Sequence, residues 1–248
     1  MGILNVTPDS FADGGKHNDF DSAVARGLQM IAEGVDIIDI GGESTRPGAD
    51  RVSETEEIAR TIPVIAELAK HGVKISIDTM RASTAKAAID ACASIINDVS
   101  GGLADPLMLQ TAAALKVPYI AMHWRGQSKD MNSKAIYGDV VNDVISELQE
   151  RIDAALDAGI TKDNLIIDPG LGFAKDADHN WAIIDAIDQF VAMGYPVLVG
   201  ASRKRFLGGD SPDEREQATI DLTKRLAPTG VWAVRVHSVK PHKEVLSV

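Results

Sequence analysis

Four short apolar runs in this chain stop on a carboxylate or an amide. Asp36-Ile37-Ile38-Asp39-Ile40 runs into Gly41-Gly42, and Lys74-Ile75-Ser76-Ile77 into Asp78. Ile95-Ile96 runs into Asn97-Asp98, and Leu165-Ile166-Ile167 into Asp168-Pro169-Gly170. A carboxylate is a costly way to end a strand that faces a core unless a polar group meets it there. Strands of a parallel α/β fold meet their ligands at their carboxyl ends. Any one of these acids could cap the helix that follows it, since Asp and Asn are preferred caps. Four in the same place point to a ring of polar groups around one pocket.

By type the strand ends sort into two sets. Asp78, Asn97 and Asp168 are acceptors or amides, suited to a flat heterocycle with several N–H groups, whose guanidine-like edge a carboxylate grips through paired hydrogen bonds. Asn5, Arg46, Lys204, Arg235 and His237 are donors or cations, suited to an anion with several oxygens, such as two linked phosphates. Taken singly, each has a plainer reading. Arg235 alternates with Trp232, Val234 and Val236 and could pair with an acid at a barrel rim. His237 could be a satisfied structural histidine, and Arg203-Lys204-Arg205 a solvated turn. His71, His179 and His242 read as surface residues. No His/Cys/Asp cluster has zinc-ligand spacing, and no G-x-S-x-G elbow is present.

These residues need elements to hold them, and the pattern supplies eight strand–helix units. Strands are expected over Gly2–Val6, up to Gly41, over Lys74–Asp78, up to Asn97-Asp98, over Val117–Met122, up to Asp168, over Val197–Ala201 and over Trp232–Val236. Asp21 is expected to cap a helix with Val24, Leu28 and Ile31 on one face. Ser53 with Glu56 reads as a capping box, and Pro63 as a restart of that helix. A helix should run from Arg81 to Cys92, another after Asp105-Pro106, and a long one from Asp139 to Ala158. Asp178 and Ser211-Pro212 should open the next two, and Lys240 to Val248 could hold about two turns. Eight units in alternation predict a closed (β/α)₈ TIM barrel as one domain over residues 1–248, with an open doubly wound sheet as the alternative. No G-x-G-x-x-G follows any strand, which argues against a dinucleotide site.

Composition narrows the partners. Of 248 residues 45% are apolar, enough for a large core, and 36 acids against 25 bases give a net charge of −11. That argues against nucleic acid and against anionic membranes as partners. No stretch approaches the apolar length of a membrane span, and the first residues carry no basic segment before an apolar run. Cys92 is the single cysteine and cannot form an internal disulfide, which suggests a reducing, cytoplasmic setting.

Several blocks, in order, resemble the dihydropteroate synthase family of pterin-binding barrels. They are Asn5-Val6-Thr7-Pro8-Asp9-Ser10-Phe11, Gly41-Gly42-Glu43-Ser44-Thr45-Arg46-Pro47-Gly48, Ile77-Asp78-Thr79 and Ile96-Asn97-Asp98-Val99-Ser100-Gly101-Gly102. Asp168-Pro169-Gly170-Leu171-Gly172-Phe173, Ser202-Arg203-Lys204-Arg205-Phe206 and Arg235-Val236-His237 follow. Together they cover nearly the whole chain. Ser238 departs from the pattern, standing where the family often has Asp. The resemblance implies a homodimeric, Mg²⁺-dependent transferase of folate synthesis. It would join a dihydropterin diphosphate to p-aminobenzoate and release diphosphate. It implies that Asp78, Asn97, Asp168 and Lys204 hold the pterin, with Met122, Phe173 and Gly200 lining its slot. Asn5 would ligate Mg²⁺, and Arg46, Arg235 and His237 would take the diphosphate oxygens. Lys204, Asp78 and Arg235 are then the expected catalytic residues. The p-aminobenzoate carboxylate is expected at a helix start after Ser202, with Thr45, Pro47 and Phe11 closing over its ring and Asp9 on the same closing loop. Loops 7–17 and 43–50 are expected to be organised by bound diphosphate. Two rival readings are a pterin-dependent methyltransferase, which would have no use for the anion-binding set, and a pterin binder without catalysis.

Overall fold

A computed structural model describes residues 1–7, 16–43, 51–127 and 131–247. Asp9, Phe11, Thr45, Arg46 and Pro47 therefore lie outside the described residues. Eight parallel strands are present: β1 (Gly2–Asn5), β2 (Ile37–Gly41), β3 (Lys74–Asp78), β4 (Ile95–Asp98), β5 (Tyr119–Met122), β6 (Leu165–Asp168), β7 (Leu198–Val199) and β8 (Ala233–Val234). The first six pair in sequence order, and β7 pairs with β8. Bridges at Ile167↔Val197 and Gly2↔Val236 join the two sheets at both seams. The Ile3 N–H donates to the Val236 carbonyl at 2.8 Å and the Val236 N–H to the Met1 carbonyl at 2.9 Å. With both seams closed the sheet is a barrel, as the eight units predict, and the open-sheet alternative is excluded. Strands seven and eight are shorter than the predicted runs.

Side chains alternate along each strand, and the alternation sorts the barrel into layers. Ile38, Ile40, Ile75, Ile77, Ile96, Tyr119, Leu165, Ile167 and Val199 face outward into the main core shared with the helices. Met1, Ile37, Ile95, Ile120, Ile166 and Leu198 form a separate buried cluster, with Ala233 against it, which fills the barrel floor. One step of two residues along the same strands gives Asp39, Asn97, Met122, Asp168, Gly200 and Arg235. The apolar floor and the polar ring above it are thus written as Ile37/Asp39, Ile95/Asn97, Ile166/Asp168, Leu198/Gly200 and Ala233/Arg235.

Around the strands lie α1 (Lys16–Ala32), α2 (Glu54–Ala69), α3 (Ala82–Asp90), α4 (Met108–Leu115), α5 (Val140–Asp157), α6 (Ala177–Asp185), α7 (Ile187–Val191), α8 (Glu216–Leu226) and α9 (Lys240–Leu246). Two caps fall where the sequence places them. Ser53 accepts from the Glu56 N–H, although the Glu56 carboxylate binds Arg60 instead of completing the expected capping box, and Asp139 accepts from the Val141 and Asn142 N–H groups. Other boundaries differ, each for a local reason. Helix α1 begins before Asp21. Pro63 lies inside α2 rather than restarting it. Asp105 does not head its own helix directly. Its carboxylate accepts from Leu107 N–H and, across the loop, from Ala82 N–H at 2.8 Å, so it serves the start of α3, whose N-cap Arg81 makes no side-chain cap. Asp176, not Asp178, opens α6 through a capping box with His179. Ser211 and Glu214 close a turn on each other, and α8 starts only at Glu216. Cys92 sits past the end of α3, exposed, with φ 78°. His242, expected at the surface, is buried and bonded to the Thr223 hydroxyl at 2.8 Å.

Candidate active site

The polar ring and the loops just above it gather at the carboxyl ends of the strands. Arg235 is its centre. Its Nε donates to Asp39 Oδ2 at 2.6 Å and its Nη2 to Asp78 Oδ2 at 2.6 Å. The sequence marks the run that holds Asp39 but gives Asp39 no role of its own, because an acid between Ile38 and Ile40, ahead of Gly41-Gly42, is not the last residue of its strand. In the structure it has no exposure at all. It also accepts from Asn97 Nδ2 at 3.0 Å, which fixes that amide with its oxygen turned away from Asp39. Asp78, Asn97, Asp168 and Arg235 are therefore brought together, while Asp98, adjacent in sequence to Asn97, is turned outward. Both Asp98 oxygens are occupied by the Ser100 N–H and hydroxyl, the Gly102 N–H and the Tyr119 hydroxyl. Asp98 is a buried loop cap, the plainer of the two roles open to such acids.

The two oxygens of Asp168 have different partners. Oδ1 accepts from the Gly170 N–H at 2.7 Å. Oδ2 faces Gly200, where an added Cβ would stand 3.8 Å from it and 4.0 Å from Lys204 Nζ. Glycine at 200 thus leaves open the space between a carboxylate and an ammonium. Lys204 donates to the Leu171 carbonyl and lies 4.7 Å over the Phe173 ring. This approach needs the loop after β6 to lie flat: at Gly172, φ 76°, a Cβ would meet Lys204 Cδ at 2.8 Å. Phe173 and Trp124 pack against Met80, Val99 and Met122, an apolar cluster separate from the main core and set beside the polar ring. One wall of the mouth is hydrophobic and the other is charged.

The anion-binding candidates fare unevenly. Asn5 is half-buried at the end of β1. His237 is held by Ser202, whose Oγ accepts the His237 backbone N–H at 3.2 Å and lies 2.9 Å from Nδ1. Ser202 does not precede a helix. The following residues make a turn and a three-residue 3₁₀ segment, Arg205–Leu207, and α8 begins at Glu216. The expected helix-terminus site for a carboxylate is absent from this stretch, and the hydroxyl serves His237 instead. Arg203, with φ 58°, binds Glu216 and Ser238, so it braces the base of the Lys204 loop rather than facing the mouth.

Lys175 was missed by sequence reading, where it looks like any loop lysine. It is buried, and its ammonium donates to His123 Nδ1 at 2.9 Å, the Gly170 carbonyl at 3.0 Å and the Phe173 carbonyl at 3.1 Å. His123 Nε2 lies 2.9 Å from Glu147, which Arg125 also binds. Burial and the neighbouring Lys175 push the imidazole down to about 4, so it is neutral. It accepts at Nδ1 and donates from Nε2 to Glu147. This chain of groups ties the loop after β5 to the loop after β6, on which Asp168 and Phe173 depend.

Two groups at the mouth titrate near neutrality. Burial pushes Asp78 up to about 7, against the pull of Arg235 and with Asp39, Glu57 and Asp98 adding to the rise. Burial pushes Lys204 down to about 8, opposed by Asp168 and Asp78 and aided by Arg235. If Asp78 acts as a carboxylate and Lys204 as an ammonium, kcat/KM falls as pH drops through about 7 and again as it rises through about 8. The expected profile is a narrow bell. A flat profile from pH 6 to pH 9 would count against these two assignments.

Known proteins resemble this chain in sequence and in fold. A family model described as pterin binding enzyme matches residues 1–237. The dihydropteroate synthase of Mycobacterium leprae is 48% identical, over 100% of this chain and 91% of that protein. The structure of Xanthomonas albilineans dihydropteroate synthase with 4-aminobenzoic acid superposes with a TM-score of 0.94 at 43% identity, covering 100% of this chain and 90% of that one. The same enzyme in complex with 7,8-dihydropteroate gives 0.90 at 39% identity, again covering 100% and 90%.

Proposed function

This chain belongs to the pterin binding enzyme family, and on that premise we propose how its own residues carry out the dihydropteroate synthase reaction. The reaction joins 6-hydroxymethyl-7,8-dihydropterin diphosphate to p-aminobenzoate, giving 7,8-dihydropteroate and diphosphate. The chain is a transferase of folate biosynthesis. The observation that carries the assignment is the ring of Asp78, Asn97, Asp168 and Lys204 beside the Met122–Phe173 wall, open toward the mouth at Gly200.

The flat pterin lies against Met122 and Phe173, with its N–H edge on the Asp168 and Asp78 carboxylates and the Asn97 carbonyl oxygen. Lys204, beside Asp168, donates to the ring's acceptors. Arg235 and His237 lie where the diphosphate departs, and Arg46 is assigned to it from the sequence motif. Asn5 offers one hard oxygen donor, and among the described residues no cluster of three His, Cys, Asp or Glu stands ready for a metal. A cation with few protein ligands and several phosphate oxygens fits that donor set, and Mg²⁺ is the ion of that kind. When bound, Mg²⁺ would neutralise charge on the diphosphate.

Departure precedes attack. The cations stabilise the charge the leaving group gains, and the electron-rich dihydropterin spreads the positive charge left on its methylene. The buried carboxylates of Asp78 and Asp168 oppose that charge at short range. The aniline nitrogen then adds, and no protein nucleophile is needed. Thr45, Pro47, Phe11 and Asp9 remain assigned to the p-aminobenzoate side, while Ser202 positions His237. Among the described residues no helix is long and apolar enough to cross a membrane. We place the enzyme in the cytoplasm, as a homodimer. Coupled release tests the reading: diphosphate should appear in equal amount to dihydropteroate, and without p-aminobenzoate its release should slow to a minor hydrolysis. Release at the same rate without p-aminobenzoate, or pterin binding with no release, would overturn it.

A further inference from the structure

Arg235 is held between two carboxylates of unequal standing. Asp78 lies at the end of β3 and faces the mouth. Asp39 lies one layer deeper, with no exposure, and cannot reach a ligand or solvent. Both of its hydrogen bonds fall on one oxygen, from Arg235 Nε at 2.6 Å and Asn97 Nδ2 at 3.0 Å. Its Oδ1 and the hydroxyl of Ser76, its register partner on β3, are buried polar atoms without a partner among the described residues. Burial of a carboxylate with one oxygen unsatisfied costs stability that its pairing with Arg235 only partly offsets.

We propose that Asp39 is the resident counter-charge of Arg235, a positioning residue that frees Asp78 for the pterin. The inference rests on the pterin reading above. When the N–H edge of the ligand takes the Asp78 carboxylate, Arg235 must give up one of its two acids. With Asp39 in place the guanidinium remains neutralised through Nε while its Nη groups turn toward the diphosphate. Without that charge, Arg235 has Asp78 as its nearest carboxylate and competes with the pterin for it. Asp39 therefore touches no substrate. It sets the terms on which Asp78 is given up, and it fixes the Asn97 amide with its acceptor toward the ligand.

Asp39→Asn keeps the shape and removes the charge. Calorimetry should be run with two probes, the dihydropterin alcohol that lacks diphosphate and inorganic diphosphate with Mg²⁺. The variant should bind the alcohol at least tenfold more weakly than wild type, with diphosphate affinity unchanged within threefold and an intact circular-dichroism spectrum. Alcohol affinity within twofold of wild type, or parallel weakening of both probes, would overturn the proposal. If wild type itself fails to bind the alcohol, the pterin reading fails first, and the two failures are distinguishable. Should the variant not fold, ¹⁵N spectra of the wild-type enzyme decide. The Arg235 Nε–H must stay protected from exchange when the alcohol saturates the site. Loss of that protection would mean that Arg235 leaves Asp39, contrary to the proposal.

Discussion

Lys204→Ala is expected to reduce kcat/KM by roughly 10²–10³, the usual cost of removing one preorganised charged donor from an active site. The side chain sits between the Asp168 carboxylate and the Phe173 ring, and its ammonium is bonded to the Leu171 carbonyl. Removing it leaves the Asp168 charge without its nearest cation and the pterin without a donor on that side. The fold should survive, because the lysine closes no core contact that alanine would leave open to the main hydrophobic cluster. The alkaline limb of the pH profile, set by a lysine pushed down to about 8, should disappear with it. Arg203→Ala is the contrasting variant. Arg203 binds Glu216 and Ser238 outside the mouth, so its loss should lower Tm by a few degrees and leave kcat nearly intact. Steady-state kinetics with thermal melts separate the two. Near-normal turnover in folded Lys204→Ala would remove Lys204 from the catalytic set.

Asp168→Asn should weaken pterin binding by about 1.5–3 kcal/mol, or roughly ten- to over a hundredfold. The reason is geometric as well as electrostatic. Asp168 Oδ1 is committed to the Gly170 N–H at 2.7 Å. An amide in its place must give its oxygen to that N–H, so its NH₂ would face the mouth, a donor meeting the donors of the pterin edge. Burial already raises the Asp168 carboxyl above its ordinary range, with the Gly170 N–H, Lys204 and Arg235 working against the rise. Asp98→Asn provides the opposite result. Three of its four hydrogen bonds come from the loop after β4 and the fourth from the Tyr119 hydroxyl on β5, so the variant should lose stability and keep pterin affinity. Calorimetry with a pterin analogue beside denaturant melts reads both quantities. Equal loss of affinity in the two variants would contradict the placement of Asp168 in the pocket.

Much of this arrangement is legible in the sequence because it depends on period. Ile95 and Asn97, or Ile166 and Asp168, stand two apart on one strand, and that spacing alone puts an apolar floor beneath a polar ring. What the sequence does not reveal is pairing across the barrel. Asp39 and Arg235 are 196 residues apart, and nothing local marks Asp39 as their meeting point. Lys175 was missed for a related reason: two of its acceptors lie in its own loop, but the third is a histidine 52 residues away. Helix starts were misplaced where the capping acid acts at a distance: Asp105 serves the start of α3, on another unit. Ser202 shows a further limit, because a turn and a helix start look alike until the register of the next helix is known.

The two-residue step between floor and ring also governs how this chain can change in length. Removing a single residue between Ile37 and Asp39, or between Ile166 and Asp168, rotates everything beyond it by half a pleat. Carboxylates would then enter the helix-facing core, and isoleucines would enter the mouth. A substitution in a strand disturbs one contact, whereas a one-residue deletion exchanges the two faces of the wall. The barrel's strands are in this sense a fixed ruler, with the permissible insertions and deletions displaced to the segments between them.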